Sequence, residues 1–478
     1  MKNKVNSINN NSSNFINPSI FRSYDIRGIY PTEINEKTSY KVGKGIATLF
    51  INSFKKENEK EGDIKIALGH DMRLSSPTLK KSIKKALVES GITVVDIGLA
   101  STPTLYFSVL HFNYDGGIQI SASHNPKDYN GFKIVKRVPV GLIKIGKNTG
   151  MEELKDIVLS EKFIETGKKG KVIKNKAVLK KEVEKLLKVG IEKGNKIKNI
   201  KIVADPGNAA GALYLEELFK KLPCRLIKMN FKLDGTFPSH QPDPMKFETL
   251  KDLQKKVKDE RADLGVAPDG DGDRVFFIDE KGKVIPASHI TALLAKEFLN
   301  KFPGEKIAFD VRYSKTVKGV IIENKGIPVI TKVGHALITE AMERENAIFG
   351  GESSGHYFFK ETGFAESALM VIIMVLNIIS REDKPISKIL KPLVKSIESG
   401  EINFELKERE EVEKKINLLK EKYKDGKISI LDGLSIEYPK WRFNLRASNT
   451  EPLLRLNLEA ENQEILKEKK KELTNLLC

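Results

Sequence analysis

Short apolar runs alternate along the chain with segments of helical periodicity. Residues 64–68 and 93–97 read as strands, and residues 79–90 between them place apolar side chains at helical spacing, which is a βαβ rhythm. Residues 116–120 read as a further buried strand, and Asn125-Pro126 is a turn signal, so Ser123 is expected in a loop just past a strand's carboxyl end. The rhythm returns twice. Between 169 and 284 a lysine-rich amphipathic helix precedes strand-like runs at 200–205 and 263–267, and between 285 and 395 comparable runs stand at 306–311 and 347–349, each followed by polar loop residues. The last block differs, because residues 441–445 and 453–458 alternate as an antiparallel hairpin would, and a terminal helix is expected from about Asn462. The pattern therefore predicts three related α/β domains and a closing α+β domain, although no sequence repeat is strict enough to prove duplication. The expected division is a flexible tail at 1–16, α/β domains at 17–168, 169–284 and 285–395, and the α+β domain at 396–478.

Composition narrows the class without naming a function. In 478 residues, 40% hydrophobic and 31% charged content is ordinary for a globular protein, and the length suffices for several cores. The longest apolar run, 368–376, is too short to span a bilayer and fits a buried helix, so no membrane partner is expected. The first twenty residues are rich in Asn and Ser and lack the apolar stretch of a signal peptide. Cys224 and Cys478 are the only cysteines, which argues against a disulfide framework and for a reducing, cytoplasmic setting. The formal charge of +18 raises the question of nucleic acid, but the densest stretch, 168–201, is almost all Lys with no Arg and no aromatic residue, so base readers and stacking platforms are missing. A solvated lysine surface with some attraction for anionic sugar phosphates is the expectation.

Four loops carry chemistry. Ser121-Ala122-Ser123-His124-Asn125-Pro126 offers a hydroxyl beside an imidazole, followed by Lys127 and Lys133, at the end of a sheet strand where open α/β folds bind ligands. Asp269-Gly270-Asp271-Gly272-Asp273-Arg274 places three carboxylates at alternate positions, separated by glycines that let a tight loop converge them on one hard cation, with Mg²⁺ the first choice. An EF-hand would need a bidentate Glu and flanking helices, whereas an apolar strand pattern, Val275-Phe276-Phe277-Ile278, follows here. Gly351-Glu352-Ser353-Ser354-Gly355-His356 has a composition suited to sugar hydroxyls, and Arg446, Ser448, Asn449 and Thr450 suit a phosphate. Any one of these is compatible with a polar turn. Four of them after strands are not readily coincidental.

Together with Phe21-Arg22-Ser23-Tyr24-Asp25-Ile26-Arg27-Gly28 and Asn130-Gly131-Phe132-Lys133, these motifs resemble the α-D-phosphohexomutases, and among them the bacterial and archaeal phosphomannomutase/phosphoglucomutase branch. The resemblance covers about residues 19 to 460 and rests on motifs specific in combination, order and spacing. It implies four domains around a central cleft. It makes Ser123 the phosphoserine, with Asp269, Asp271 and Asp273 holding Mg²⁺ against its phosphate and Arg274 beside the metal loop. Lys133, Arg27 and His356 fall on positions for proton transfer or charge neutralisation. Tyr24, Arg312, His335, Glu352 and Ser354 match substrate contacts, and Arg446, Ser448, Asn449 and Thr450 match the distal phosphate loop. Ser121 stands where Thr is common, and Pro268 stands where an aromatic is frequent; neither departure removes a functional group.

The implied reaction is reversible phosphoryl transfer between C6 and C1 of mannose or glucose phosphates through a hexose 1,6-bisphosphate, which also serves as activator. Lys133, expected to lie crowded by Arg27 and Arg274, is the leading general base, with a lowered pKa. A metal-dependent sugar phosphatase would have no use for a loop gripping a second phosphate. Phosphoglucosamine mutase is the rival within the family, and Arg446-Ala447-Ser448-Asn449-Thr450 speaks against it, since that branch usually carries Arg-Pro-Ser-Gly-Thr. Oligomeric state is not written in the sequence, and a monomer is the default expectation.

Overall fold

The computed structural model describes residues 16–56, 63–406, 410–447 and 453–478. Four sheets organise it: one of seven strands, one of five, one of four and a last one of five. Three of them share one plan. In the first, Gly116–Ile120, Lys65–His70 and Thr93–Leu99 run parallel in that spatial order, and Tyr129–Val138 returns antiparallel beside Gly116–Ile120. In the second, Leu264–Pro268, Lys201–Ala204 and Arg225–Lys228 repeat the order, with Val275–Ile278 returning antiparallel. In the third, Phe349–Gly351, Lys306–Asp310 and Ile327–Thr331 do the same, with Tyr357–Phe359 returning. The duplication that sequence periodicity could not prove is therefore plain in the topology. Its consequence is positional: the loop between the third parallel strand and the antiparallel return is the serine loop in one domain, the aspartate loop in the next and the Glu352 loop in the third.

The fourth sheet is antiparallel, with Trp441–Ala447 paired to Leu453–Ala460 and the helix Gln463–Leu477 following its Asn462 cap, as the alternation predicts. Trp441, Phe443, Leu445, Leu454, Leu456 and Leu458 fill its core, while Arg442, Asn457 and Glu459 between them bond residues of the third domain. The second and third domains share one continuous apolar core, to which the buried helix Ala368–Glu382 contributes most of its length.

Two strands stand at or across the divisions drawn from the sequence. Val172–Lys174, past the division at 168, pairs with Thr93–Leu99 at the parallel edge of the first sheet. Val284–Ile285 closes the second sheet against Val275–Ile278, one residue beyond the division at 284. Ile16, assigned to the tail, is buried in the first core; residues 1–15 lie outside the described residues.

Buried polar contacts mark the seam of the third and fourth domains and that of the first two. Glu459 of the last sheet accepts from the backbone N–H groups of Ser314 and Lys315 (2.8 and 3.0 Å), capping the helix Lys315–Glu323 of the third domain, and from Ser396 and Arg442. Arg442 also donates to the carbonyls of Val311 and Arg312 at 2.9 Å. Between the first two domains, Thr104 donates to the buried Glu182 at 2.6 Å, and burial pushes that carboxyl up to about 7 even though the hydrogen bond opposes the shift.

A raised carboxyl pKa means that the folded state binds the proton more tightly than the unfolded state. The Glu182 contribution is fully present below about pH 4.5 and is lost as pH rises through about 7, a change of about 3 kcal/mol at most. Glu182→Gln keeps the acceptor for Thr104 and removes the titration. We expect it to raise the apparent melting temperature at pH 8 and to leave it unchanged at pH 4.5; equal melting temperatures at both pH values would contradict the assignment.

Candidate active site

The strand Gly116–Ile120 is buried along its whole length and delivers the serine loop to the domain junction. Ser123 has φ +50°, a left-handed conformation that costs a non-glycine residue about 1–3 kcal/mol and persists only where its surroundings enforce it. Arg73 enforces it. Its fully buried guanidinium donates to four carbonyls of this one loop, those of Ser123, Asn125 and Pro126 at 2.6 to 2.7 Å and that of Tyr129 at 3.0 Å. The hydroxyl of Ser123 is thereby aimed at the second domain, where it donates to Asp269 Oδ2 at 2.8 Å. His124 Nδ1 lies 3.2 Å from the same hydroxyl, and burial, then Arg274 and Arg27, hold that imidazole far below its usual pKa and therefore neutral.

Gly270 is the reason the aspartate loop comes so close, since a Cβ there would stand 2.3 Å from the Ser123 carbonyl oxygen. Thr102 fastens the loop from the first domain, its N–H to the Asp271 carbonyl at 2.9 Å and its hydroxyl to Asp271 Oδ2 at 2.5 Å. Asp269, Asp271 and Asp273 are all buried, with one oxygen from each lying within 4.8 Å of the others. Burial, then Asp273 and Asp271, push the Asp269 carboxyl well above the usual range, and Asp271 Oδ1 has no hydrogen-bond partner. Three converging carboxylates with an orphaned buried oxygen are the donor set of a hard cation with open positions, so the residues fit Mg²⁺.

Lys133 reaches this loop from the antiparallel return of the first sheet. Its Nζ donates to Asp271 Oδ2 at 2.7 Å and to Asp273 Oδ2 at 2.6 Å. The expected lowering of its pKa is not found. Burial acts in that direction, but Asp271 and Asp273 outweigh it and hold the ammonium well above the ordinary lysine range, with Arg27 a minor opposing influence. Lys133 is a charged counter-ion here. Arg27 instead bonds Asn125 Oδ1 at 2.6 Å and Asp25, bracing the serine loop from the other side. Arg274 Nε lies 3.9 Å from Asp269 Oδ2, and its backbone bridges to His356, which joins the aspartate loop to the Glu352 loop.

His356 occupies the next position. Its Nε2 is 3.3 Å from Asp273 Oδ1 and its Nδ1 is 3.1 Å from Glu352 Oε2 and 3.0 Å from Ser354 Oγ. Burial disfavours the charged ring, yet Asp273 and Glu352 push it up to about 9. Glu352 Oε1 accepts from the Gly334 N–H at 2.7 Å, and the next residue, His335, meets the Tyr24 ring edge to face at 5.4 Å. Arg312 is held by a bidentate contact to Asp310 at 3.0 Å, and Asp310 also takes the Ser353 N–H. Arg446 contacts Glu401 at 3.2 Å, and burial followed by the like charge of Arg312 depresses its pKa. Guanidiniums of this kind suit a phosphate. Ser448, Asn449 and Thr450 lie outside the described residues.

The sequence reading missed residues that hold these groups in place: Arg73, Thr102, Asp310 and Arg442. Each is an isolated polar residue in an apolar or loop context, and no spacing within the chain marks it.

A serine hydroxyl bonded to one of three buried carboxylates, with Arg312 and Arg446 supplied by the third and fourth domains, suits an enzyme that moves phosphoryl groups on an anionic substrate. Family models for phosphoglucomutase/phosphomannomutase domains I, II and III and the C-terminal domain match residues 18–163, 180–282, 286–397 and 399–476. A phosphomannomutase of Methanocaldococcus jannaschii is 38% identical over 459 residues, covering 96% of this chain and 97% of that protein. One from Vibrio cholerae is 36% identical over 467 residues, covering 96% and 98%. A crystal structure of a phosphoglucomutase/phosphomannomutase family protein from Burkholderia thailandensis superposes with TM-score 0.85 at 29% identity, covering 97% of this chain and 98% of that one. The chain belongs to the phosphoglucomutase/phosphomannomutase family, and is an enzyme.

The carboxylate triad makes a prediction that needs no substrate. Saturating Mg²⁺ should raise the melting temperature of the wild type, since a ligand at a hundred times its Kd stabilises by about 2.7 kcal/mol, and Asp271→Asn should lose most of that increment while remaining folded. Absence of any Mg²⁺-dependent shift in the wild type would show that the triad holds no such cation.

Proposed function

We propose that the protein interconverts hexose 6-phosphates and hexose 1-phosphates, with mannose and glucose as the sugars, by way of a phosphoserine at Ser123 and a hexose 1,6-bisphosphate. The observation that carries this reading is the Ser123 hydroxyl 2.8 Å from Asp269, inside a buried carboxylate triad that has an orphaned oxygen. Asp269, Asp271 and Asp273, with an oxygen of the seryl phosphate, would hold Mg²⁺, which supplies charge neutralisation to a transferring phosphoryl group. Ser123 passes its phosphoryl group to the free hydroxyl of a sugar phosphate and takes back the original one after the bisphosphate has turned around. Lys133, Arg27 and Arg274 neutralise charge at the transfer point. His356 presents a charged ring between Asp273 and Glu352, a position from which it can donate a hydrogen bond to the reacting end. Tyr24, His335, Glu352 and Ser354 form the sugar wall. Arg312 and Arg446, with Ser448, Asn449 and Thr450, receive the phosphate that is not being transferred.

Because the cycle begins and ends with a phosphoserine, added hexose 1,6-bisphosphate is expected to activate enzyme that has lost its phosphate. All four site loops come from one chain, which supports function as a monomer. Among the described residues no helix is long and apolar enough to cross a membrane, and Cys224 and Cys478 are free, in keeping with a cytoplasmic setting. The excess lysines stand mostly on exposed faces, which favours attraction of sugar phosphates over a nucleic-acid interface.

Product analysis with glucose 1-phosphate tests the reaction class. Glucose 6-phosphate is expected; free phosphate would instead indicate a phosphatase. Ser123→Ala should lower turnover by at least about 10³-fold, the order seen when a covalent nucleophile is removed, and retention of wild-type turnover would remove the nucleophile assignment.

Specificity follows from the turn-around. Groups that exchange places when the sugar flips are its 3- and 4-hydroxyls, both equatorial in glucose and mannose, whereas the 2-hydroxyl has no such counterpart. Both sugars should therefore be substrates. Galactose 1-phosphate, with an axial 4-hydroxyl, leaves a buried polar group at Glu352 or Ser354 unpaired and should be poorer in kcat/KM by roughly 10²-fold. Equal kcat/KM for the glucose and galactose compounds would contradict that assignment.

A further inference from the structure

Lys144 belongs to the strand Gly141–Lys144, an addition to the first sheet that pairs with the return strand through Val135. The turn entering that strand abuts the third domain backbone to backbone. A Cβ on Gly141, whose φ is +118°, would stand 2.6 Å from the Gly363 carbonyl oxygen, so only glycine admits the approach. The approach lets a lysine of one domain cross the seam and become buried in another. Its Nζ donates to Glu366 Oε1 at 2.5 Å and lies within reach of Thr339 Oγ1 at 3.2 Å and of the His335 carbonyl at 3.3 Å. The rings of Tyr106 and Phe358 flank the ammonium.

His335 Nδ1 stands 3.3 Å from Lys144 Nζ, no nearer than the carbonyl, whereas Glu366 Oε1 lies closer to that nitrogen, at 3.1 Å. A carboxylate can only accept, so the proton belongs on Nδ1 and the lone pair on Nε2. The His335 ring lies against Tyr24 and is stacked on His356 at 5.8 Å, on the sugar wall of the cleft.

We propose that Lys144 and Glu366 are positioning residues which, from opposite sides of the seam between the first and third domains, lock His335 in the Nδ1–H tautomer so that Nε2 accepts a hydrogen bond from a sugar hydroxyl. The kinetic half of this inference rests on the mutase reading; the tautomer half does not. The pair also makes the tautomer conditional on the two domains being seated against each other.

The test uses full-length protein labelled with ¹⁵N-histidine, the His335 signals being identified by their loss in His335→Asn. The wild type should show protonated Nδ1 and a bare Nε2. Single replacements strand a buried charge, so the informative variants change both residues. Lys144→Met with Glu366→Leu replaces the pair by apolar volume and should fold, yet lose the Nδ1–H signature and raise KM for the sugar phosphate by about tenfold, the worth of one buried hydrogen bond, with a smaller change in kcat. Lys144→Met with Glu366→Gln restores a carbonyl acceptor for Nδ1–H and should recover both the signature and KM. A wild-type ring protonated on Nε2, or two double variants alike in spectrum and KM, would overturn the proposal. If the wild type formed no isomer, the mutase reading would fall while the spectra still decided the clamp.

Discussion

Burying three carboxylates within 4.8 Å of one another is the constraint from which the rest of the structure follows. Such a cluster is tolerable only if cations are brought to it, and no single domain supplies enough of them. Lys133 comes from the first domain, Arg274 from the second and the charged ring of His356 from the third. Electrostatic demand at one loop therefore explains why three domains meet there. Lys133 and His356 pull Asp273 down against the effect of its burial, while burial and its two carboxylate neighbours push Asp269 up.

The second theme is indirect support. Arg73 does not point at the carboxylate cluster; it spends its guanidinium on carbonyls of the serine loop and holds Ser123 in a conformation that this residue type disfavours. Arg442 does the equivalent for the third domain, gripping the carbonyls of Val311 and Arg312 while Glu459 caps the adjacent helix. A buried arginine bonded to backbone fixes a loop without narrowing the cleft. The proposed transfer to a substrate that turns around would need this kind of preorganisation, because reacting atoms displaced by about an ångström lose much of their rate advantage.

The sequence makes some of this legible for identifiable physical reasons. Strands such as Leu264–Pro268 announce themselves because burial on both faces demands an unbroken apolar run, and the Asp269 to Asp273 loop because carboxylates at alternate positions around glycine are costly without a cation. The hairpin of the fourth domain shows in its alternation. What stayed hidden depends on distance in the chain. The charge state of Lys133 was misjudged because its partners, Asp271 and Asp273, lie more than a hundred positions away and outweigh the arginines considered beside it. Lys144 and Glu366 carry no local signature, and the shared plan of three sheets is invisible at the level of residue identity because topology constrains patterns of burial and not particular side chains.

The central claim is that Ser123 exchanges phosphoryl groups with the substrate, and a single-turnover isotope experiment addresses it most directly. Phosphorylated enzyme in stoichiometric amount is mixed with glucose 1-phosphate carrying ¹⁸O in its phosphoryl group, quenched, and analysed by mass spectrometry of both the sugar phosphate and the peptide containing Ser123. The account predicts glucose 6-phosphate with an unlabelled phosphoryl group, donated by the serine, and the ¹⁸O label on Ser123. Retention of the label in the glucose 6-phosphate, with an unlabelled Ser123, would mean that the group moves without passing through the serine, and would contradict the account.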